Sequence, residues 1–530
     1  MAALRRQGWR NLTESPSKEF QGSASREKLA TGAAVSGLVL LAVALAAKFS
    51  VNAFPLIPDE PLLILGPGAM KGAPYPAGVY PGFPRLFYSF FVWLSKPLLP
   101  EAPFVPFVVG RAVNLALYGG AIALFFLTAR QYLSRRWSFL AAFLFAFTPV
   151  VFFSGVFVKT ESLLIVEILL SFYAAGRIVG EPGKLRWHAL AGLALGLSVA
   201  TKFNPFPLLS YAGALMAVDE PRRFLKERRP LLVFALAASA ALALSWPGVF
   251  HLSDYDPRRF RSDDYFLAAP SAFRSVTEGF AFPYGRVSYA FLFILPLAAG
   301  LANYAAAALG LLCRALPRRA LIVTGLFSAG YLVFALSFTA WRPAWLFTPL
   351  APFLALAAVF FWKRLWEGWL GRPGRVLAIV GIPLAIFLSS YQYTAVAAAV
   401  DGTVKGEIAA LRRVRAAGKG VGDVLVLTNA ALALQQGISP VDPAGGVLKK
   451  RPAYILILDS YAENFCKYRK SPGYSAQCEF FRRLLSGRAG YREEWSRPVD
   501  FPMKTWTCDP EASFTLHLMQ RKDLPPACEA

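Results

Sequence analysis

The feature that most restricts what this chain can fold into is a repetition of long apolar runs without charge. Gly32–Ala47, Leu231–Leu244 and Val376–Leu388 contain no Asp, Glu, Lys or Arg. Runs approaching the roughly 20 residues needed to cross a hydrocarbon core mark transmembrane helices. Only 17% of the 530 residues are charged, against about 25% in soluble domains. A single water-solvated core, a collagen, a disordered tail protein and a small disulfide scaffold are therefore excluded. The net charge of +24 lies in short loops between apolar spans. It reads as the Lys/Arg excess of cytoplasmic loops rather than a nucleic-acid footprint, with anionic lipid or lipid phosphate as a second partner for the same charge.

Loop charge sets the expected topology. Residues 1–29 form a basic cytoplasmic segment, residues 30–393 a transmembrane domain with outer loops 52–104 and 251–285, and residues 394–530 an extracytoplasmic α/β domain. The first span covers about Ala30–Val51 and is read as an uncleaved anchor. Further spans are expected at Phe107–Thr128, Trp137–Phe157, Ser162–Ala175, Leu231–Phe250, Val287–Leu312, Leu321–Phe338, Pro343–Trp362 and Val376–Tyr393. Arg85–Leu99 reads as a helix on the membrane interface. His188–Val218 is interrupted by Thr201-Lys202-Phe203-Asn204-Pro205 and has basic residues on both flanks. Two legs of about 15 residues reach only about 22 Å, short of the roughly 30 Å core, which places Lys202 below the outer surface. The count is about eleven crossings, amino terminus inside and carboxyl terminus outside.

Beyond Asp401 the composition turns polar. Asp423–Thr428 and Tyr454–Asp459 are β-rich runs, with helical stretches at Lys405–Ala417 and Glu479–Ser486. Cys466, Cys478, Cys508 and Cys528 all fall in this region, and an even set in one domain suggests disulfides in an oxidising compartment. Of the three possible connectivities, Cys466–Cys478 with Cys508–Cys528 closes the shortest loops.

No Walker loop, HExxH or GxSxG motif is present. Charge on the outer side gathers at a few points. Asp59-Glu60 follows the first span; it also suits a helix start before Pro61. Lys159-Thr160-Glu161 opens the fourth span, where a carboxylate also favours a helix N-terminus. Glu167 is too costly to face lipid and should face a polar interior. Arg111, Lys202 and Arg342 lie at the outer ends of three apolar segments, either snorkelling to headgroups or placed to bind a lipid phosphate. Tyr80, Arg85, Asp263 and Asp264 are further polar groups of the outer loops.

These pieces resemble, in order, a membrane glycosyltransferase of the C-type fold, close to the dolichyl-phosphate-mannose–protein mannosyltransferase family. The resemblance is carried by Pro58-Asp59-Glu60 with Tyr80–Tyr88, by Gly110–Asn114, by Phe147-Thr148-Pro149 with Val158–Leu164, by Gly192–Phe203, and by Arg342 with Pro349–Leu356. Glu161 stands where many relatives have Asp, and Gly82-Phe83 interrupts the usual Tyr-Pro-Pro-Leu. The resemblance implies transfer of a sugar from a polyprenyl-phosphate donor to an extracytoplasmic protein, lipid or glycan, with inversion and without a catalytic metal or cofactor. It implies Asp59 as base, Glu60 and Glu161 as orienting carboxylates, and Lys202, Arg342 and Arg111 as phosphate ligands. Tyr80, Arg85, Lys159, Asp263 and Asp264 are then candidate contacts to acceptor or donor. Two adjacent carboxylates also suit a divalent cation, so metal stays open on the residues alone. The implied setting is a multi-pass protein of a bacterial inner or plasma membrane. A transporter fits the spans but not the one-sided polar residues and missing repeats. A glycan-binding or sensor protein leaves Lys202 and the loop carboxylates without a role.

Overall fold

A computed structural model describes residues 18–50, 63–64, 82–99, 105–202, 204–218, 228–246, 291–292, 295–337, 344–420, 423–427, 443–459, 462, 466, 472–499 and 514–524. Helices occupy the chain as far as Ala416: α1 (Lys18–Ser50), α2 (Phe83–Ser95), α3 (Val105–Ala129), α4 (Arg135–Ala146), α5 (Pro149–Val156), α6 (Thr160–Gly180), α7 (Leu185–Lys202), α8 (Pro207–Ala217), α9 (Arg228–Ser245), α10 (Leu295–Ala299), α11 (Leu301–Leu312) and α12 (Arg318–Ser337). A 3-10 segment, Ala344–Leu350, leads into α13 (Ala351–Trp366) and α14 (Gly371–Ala416). Then follow β1 (Val424–Leu427), α15 (Pro443–Lys450), β2 (Tyr454–Leu458), α16 (Pro472–Leu485), β3 (Tyr491–Val499) and β4 (Phe514–Arg521).

Among the described residues seven helices are long and apolar enough to cross a membrane, or eight if the bent pair α4–α5 is one span. The remaining expected crossings fall on α7, α8 and the α10–α11 pair, and α8 and α11 are short apolar helices. The most apolar stretches of α1 and α14 are each 17% buried, whereas that of α13 is 78% buried. Thus α13 is the centre of the bundle, and α1 and α14 turn apolar side chains such as Leu40, Val380 and Phe387 outward, as lipid-facing helices do.

Three breaks in the helices have identifiable causes. The expected span Trp137–Phe157 is instead two helices bent by 62°. Pro149 opens α5 and holds Thr148 in an extended conformation, ψ 126°, because a residue before proline is kept out of the helical region. Between α7 and α8, Pro205 and Pro207 end one helix and start the next. Between α10 and α11, Gly300 has φ +83°, a conformation that favours glycine.

Packing is tight where these helices meet. Phe125 and Phe145 lie 4.5 Å apart, centroid to centroid, between α3 and α4. A Cβ at Gly192 would stand 2.2 Å from the Phe234 carbonyl oxygen, so α7 and α9 approach closely only because that position is glycine.

The expected last span, Val376–Tyr393, and the expected helical stretch at Lys405–Ala417 join in one helix, α14, which runs for 46 residues. Its final turns carry Ala410 and Val414 onto one face of the sheet, against Val424, Leu456, Leu516 and Leu518. Phe481 and Leu484 of α16 cover the opposite face, against Leu425, Ile455, Ile457 and Met519. The strand order is β1-β2-β4-β3. The β1–β2 pair is parallel and the other two are antiparallel. Strands β3 and β4 were not among the expected elements. The sequence Tyr-Arg-Glu-Glu-Trp-Ser-Arg-Pro-Val of β3 lacks an apolar run because β3 is an edge strand, where charge and proline are tolerated. Cys466 and Cys478 form a disulfide with a Cα–Cα distance of 4.7 Å, whereas Cys508 and Cys528 lie outside the described residues.

Candidate functional site

Several buried polar side chains gather at one end of the bundle, where α1 and α7 end and α6 and α8 begin. Glu161 sits in the first turn of α6 and is 2% exposed. Its Oε1 forms an ion pair with Lys202 Nζ, from the last turn of α7. The antiparallel α6–α7 hairpin brings these residues together although 41 positions separate them. Thr160 donates its hydroxyl to Glu161 Oε2 at 3.1 Å. Lys159, also buried, holds its ammonium 5.3 Å from the centre of the Phe153 ring. Tyr331 of α12 donates its hydroxyl to the Leu346 carbonyl at 2.8 Å.

Arg111 occupies the same end on α3, 3% exposed. It donates from a terminal guanidinium nitrogen to the Ser50 carbonyl at 2.9 Å, one of the orphan carbonyls that end α1. Ser50 in turn donates its hydroxyl to the Val156 carbonyl at 2.8 Å, tying the end of α1 to the end of α5. Among the described residues, Lys159, Lys202 and Arg111 bring three cations to this end of the bundle, beside the Glu161 carboxylate.

The backbone between α5 and α6 is held by Asn114, one turn beyond Arg111 on α3. Its Nδ2 lies 2.7 Å from the Ser154 carbonyl oxygen, 2.8 Å from that of Gly155 and 3.0 Å from that of Phe157. These are carbonyls that the end of α5 leaves without helical partners. Asn114 Oδ1 accepts the hydroxyl of Tyr88, on α2, at 2.9 Å. Ser162 adds a further bond to the Ser154 carbonyl at 2.6 Å. Helix α2 is thereby fastened to the segment that presents Lys159 and Glu161. Asn114 and Tyr88 fall within the sequence motifs, which assign them no role. The signal for Asn114 was its i, i+3 spacing from Arg111, which places both on one helix face.

The structure therefore brings Lys159, Glu161 and Lys202 together, with Arg111 joined through Ser50. Arg85 lies half-buried in the first turn of α2. Asp59, Glu60, Tyr80, Asp263, Asp264 and Arg342 lie outside the described residues. Among the described residues no three His, Cys, Asp or Glu side chains converge as a metal site requires.

Residues 87–246 match the model of the dolichyl-phosphate-mannose-protein mannosyltransferase family, a stretch that contains all four of these charged residues. No curated protein sequence matches the chain. The crystal structure of ArnT from Cupriavidus metallidurans bound to undecaprenyl phosphate is similar, with a TM-score of 0.50 and 12% identity, over 91% of this chain and 98% of that one. The archaeal oligosaccharyltransferase AglB from Archaeoglobus fulgidus, in complex with an inhibitory peptide and a dolichol-phosphate, is matched with a TM-score of 0.44 and 14% identity. That match covers 68% of this chain and 55% of AglB, so the chain spans about half the length of the archaeal enzyme. The chain has the C-type membrane glycosyltransferase fold, and its residues 87–246 match the mannosyltransferase family within that fold.

Proposed function

We propose that the protein is a membrane glycosyltransferase that moves a sugar from a polyprenyl phosphate to an extracytoplasmic acceptor. The observation that carries this reading is the ion pair of buried Glu161 with Lys202, beside the buried Lys159, inside the segment that matches the family model. The similar fold of an ArnT structure that holds undecaprenyl phosphate supports it. The cluster end of the bundle is the extracytoplasmic end, and the carboxyl-terminal sheet lies on that side.

In this reading the acceptor hydroxyl oxygen attacks the anomeric carbon while the bond from that carbon to the phosphate oxygen breaks. The hydroxyl proton passes to Asp59, and the leaving phosphate keeps the bonding electron pair. Attack opposite the leaving group inverts the anomeric centre, through a transition state with oxocarbenium character. Lys202 exchanges Glu161 for the departing phosphate, helped by Arg342 and, from behind, Arg111; such charge-assisted contacts are the strong ones. Glu60 and Glu161 orient the acceptor and the lysines, and Tyr80, Arg85, Lys159, Asp263 and Asp264 are the candidate contacts to acceptor or donor. The transferred group is a hexose or pentose, and no cofactor is required.

The test is purified full-length protein in lipid nanodiscs with radiolabelled polyprenyl-phosphate sugars, hexosyl and pentosyl. Release of free polyprenyl phosphate that depends on added acceptor is the expected result. Uptake of solute into proteoliposomes without cleavage of any donor would overturn the reading in favour of a transporter.

A further inference from the structure

One buried carboxylate has no part in that mechanism. Glu167 lies on α6, 2% exposed, about 9 Å further along the helix axis than Glu161. Its Oε1 accepts the hydroxyl of Thr201 at 2.6 Å. Its Oε2 is buried and has no hydrogen-bond partner among the described residues. Thr201 is fully buried in the last turn of α7 and immediately precedes Lys202. An ionisable side chain within an apolar span is expensive to keep, and an unmet buried oxygen adds to that cost. A simple packing role would be met more cheaply by leucine.

The two hairpin helices are thus joined by two polar rungs, Glu161–Lys202 and Glu167–Thr201. The rungs differ in kind. The first must open if Lys202 is to meet a phosphate. The second involves no group that the phosphate would attract, so it stays closed when the first exchanges. It also sits where α7 needs holding: Lys202 is the last residue of α7, and Pro205 and Pro207 prevent the helix from continuing. The hydrogen bond from the Asn204 amide to the Ser198 carbonyl, at 3.3 Å, is a long one. Without a lateral fastening the last turn of α7 is free to fray, as helix ends do.

We propose that Glu167 is a positioning residue for the phosphate-binding lysine: through Thr201 it pins the last turn of α7, so that Lys202 keeps its place when it leaves Glu161 for the donor phosphate. This deepens the glycosyltransferase reading and rests on it. Glu167 touches no substrate and acts only through Thr201 and the backbone that carries Lys202.

The experiment uses the full chain in nanodiscs and undecaprenyl phosphate as the binding probe, with wild type, Glu167→Leu, Glu167→Gln, Thr201→Val and the Glu167→Leu/Thr201→Val double variant. Glu167→Leu and Thr201→Val should each weaken probe binding about fivefold, as loss of one hydrogen bond predicts. The double variant should bind no worse than either single one, because both remove the same bond. Glu167→Gln should restore most of the affinity, since its amide carbonyl still accepts from Thr201. In turnover, kcat/KM for the donor should fall by the same factor while KM for the acceptor stays unchanged. Wild-type affinity in Thr201→Val, additive losses in the double variant, or equal damage from glutamine and leucine would each overturn the inference while leaving the glycosyltransferase reading intact. If Glu167→Leu fails to fold, Thr201→Val, which exchanges one hydroxyl for a methyl, decides alone. A wild-type protein that does not bind the probe overturns the glycosyltransferase reading and this inference with it.

Discussion

Helix α6 carries a glutamate among cations at each end, and the two ends are built differently. At the start, Glu161 is buried and paired with Lys202, which is itself largely shielded from solvent. Just beyond the other end, Glu181 is partly exposed and has a crowd of partners. Arg177 stands at 2.6 Å, Lys184 at 3.0 Å and Arg186 at 3.7 Å, and the Trp187 indole N–H donates to it at 2.9 Å. The Trp187 hydrogen bond, then that from Lys184, with the Arg177 and Lys184 charges behind them, hold the Glu181 carboxyl down at about 2. Arg177 and Arg186 also lie over the Trp187 ring, 4.9 and 4.4 Å from its centre. At the exposed end the partners are interchangeable and water screens each of them, so any single pair is worth little. At the buried end each partner is unique, and moving one strands the other. The difference teaches that the same residue types serve as a surface clasp at one end and as a reactive arrangement at the other.

The largest effect should come from Asp59→Asn, which removes the proposed base. Loss of a general base costs on the order of 10²–10⁴-fold in rate, read as turnover of a labelled donor at unchanged donor affinity; near-normal turnover would remove Asp59 from the mechanism.

Lys202→Met should weaken binding of undecaprenyl phosphate by about tenfold or more. It should also lower the melting temperature, because Glu161 loses its cation. Wild-type affinity in this variant would reduce Lys202 to a structural counter-ion, like the cations around Glu181.

Asn114→Ala removes the side-chain amide that holds the Gly155 and Phe157 carbonyls and accepts the Tyr88 hydroxyl. That should cost about 1–3 kcal/mol in an unfolding measurement, and donor turnover should fall because the Lys159–Glu161 segment loosens. A stability loss with full activity would show that Asn114 holds the fold and not the site.

The smallest effect belongs to Glu181→Gln, which should leave donor affinity and turnover unchanged. Its signature is in pH. The folded state holds this carboxyl below its ordinary value of about 4.3. Its stabilisation is therefore present above that range and lost as pH falls toward about 2. Stability curves of wild type and variant should converge on acidification through that window. A variant that is catalytically impaired would erase the distinction between the two ends.

What could be read in advance follows the strength of the local signal. Apolar runs announced the spans, and Lys202-Phe203-Asn204-Pro205 announced the break between α7 and α8, because a charge and a proline cannot continue a lipid-facing helix. The 62° bend before Pro149 was hidden in an unbroken apolar stretch, where hydrophobicity says nothing of direction. Glu167 was recognisable as inward-facing from cost alone, but its partner Thr201 depends on how two antiparallel helices register. The role of Asn114 was invisible for a related reason: a lone amide in an apolar helix does not reveal which carbonyls it will meet. The edge strand β3 lacked any apolar alternation to mark it.

Helix α14 has a mechanical consequence. At 1.5 Å per residue, 46 residues make a shaft about 69 Å long, anchored by its first half in the bundle and by its last turns in the sheet. A pivot of the last span by about ten degrees would swing the sheet by several ångströms, because one continuous helix joins them. A rigid antibody fragment clamped on the sheet would thus report, as a pointer on a dial, the tilt of a helix buried in the bilayer.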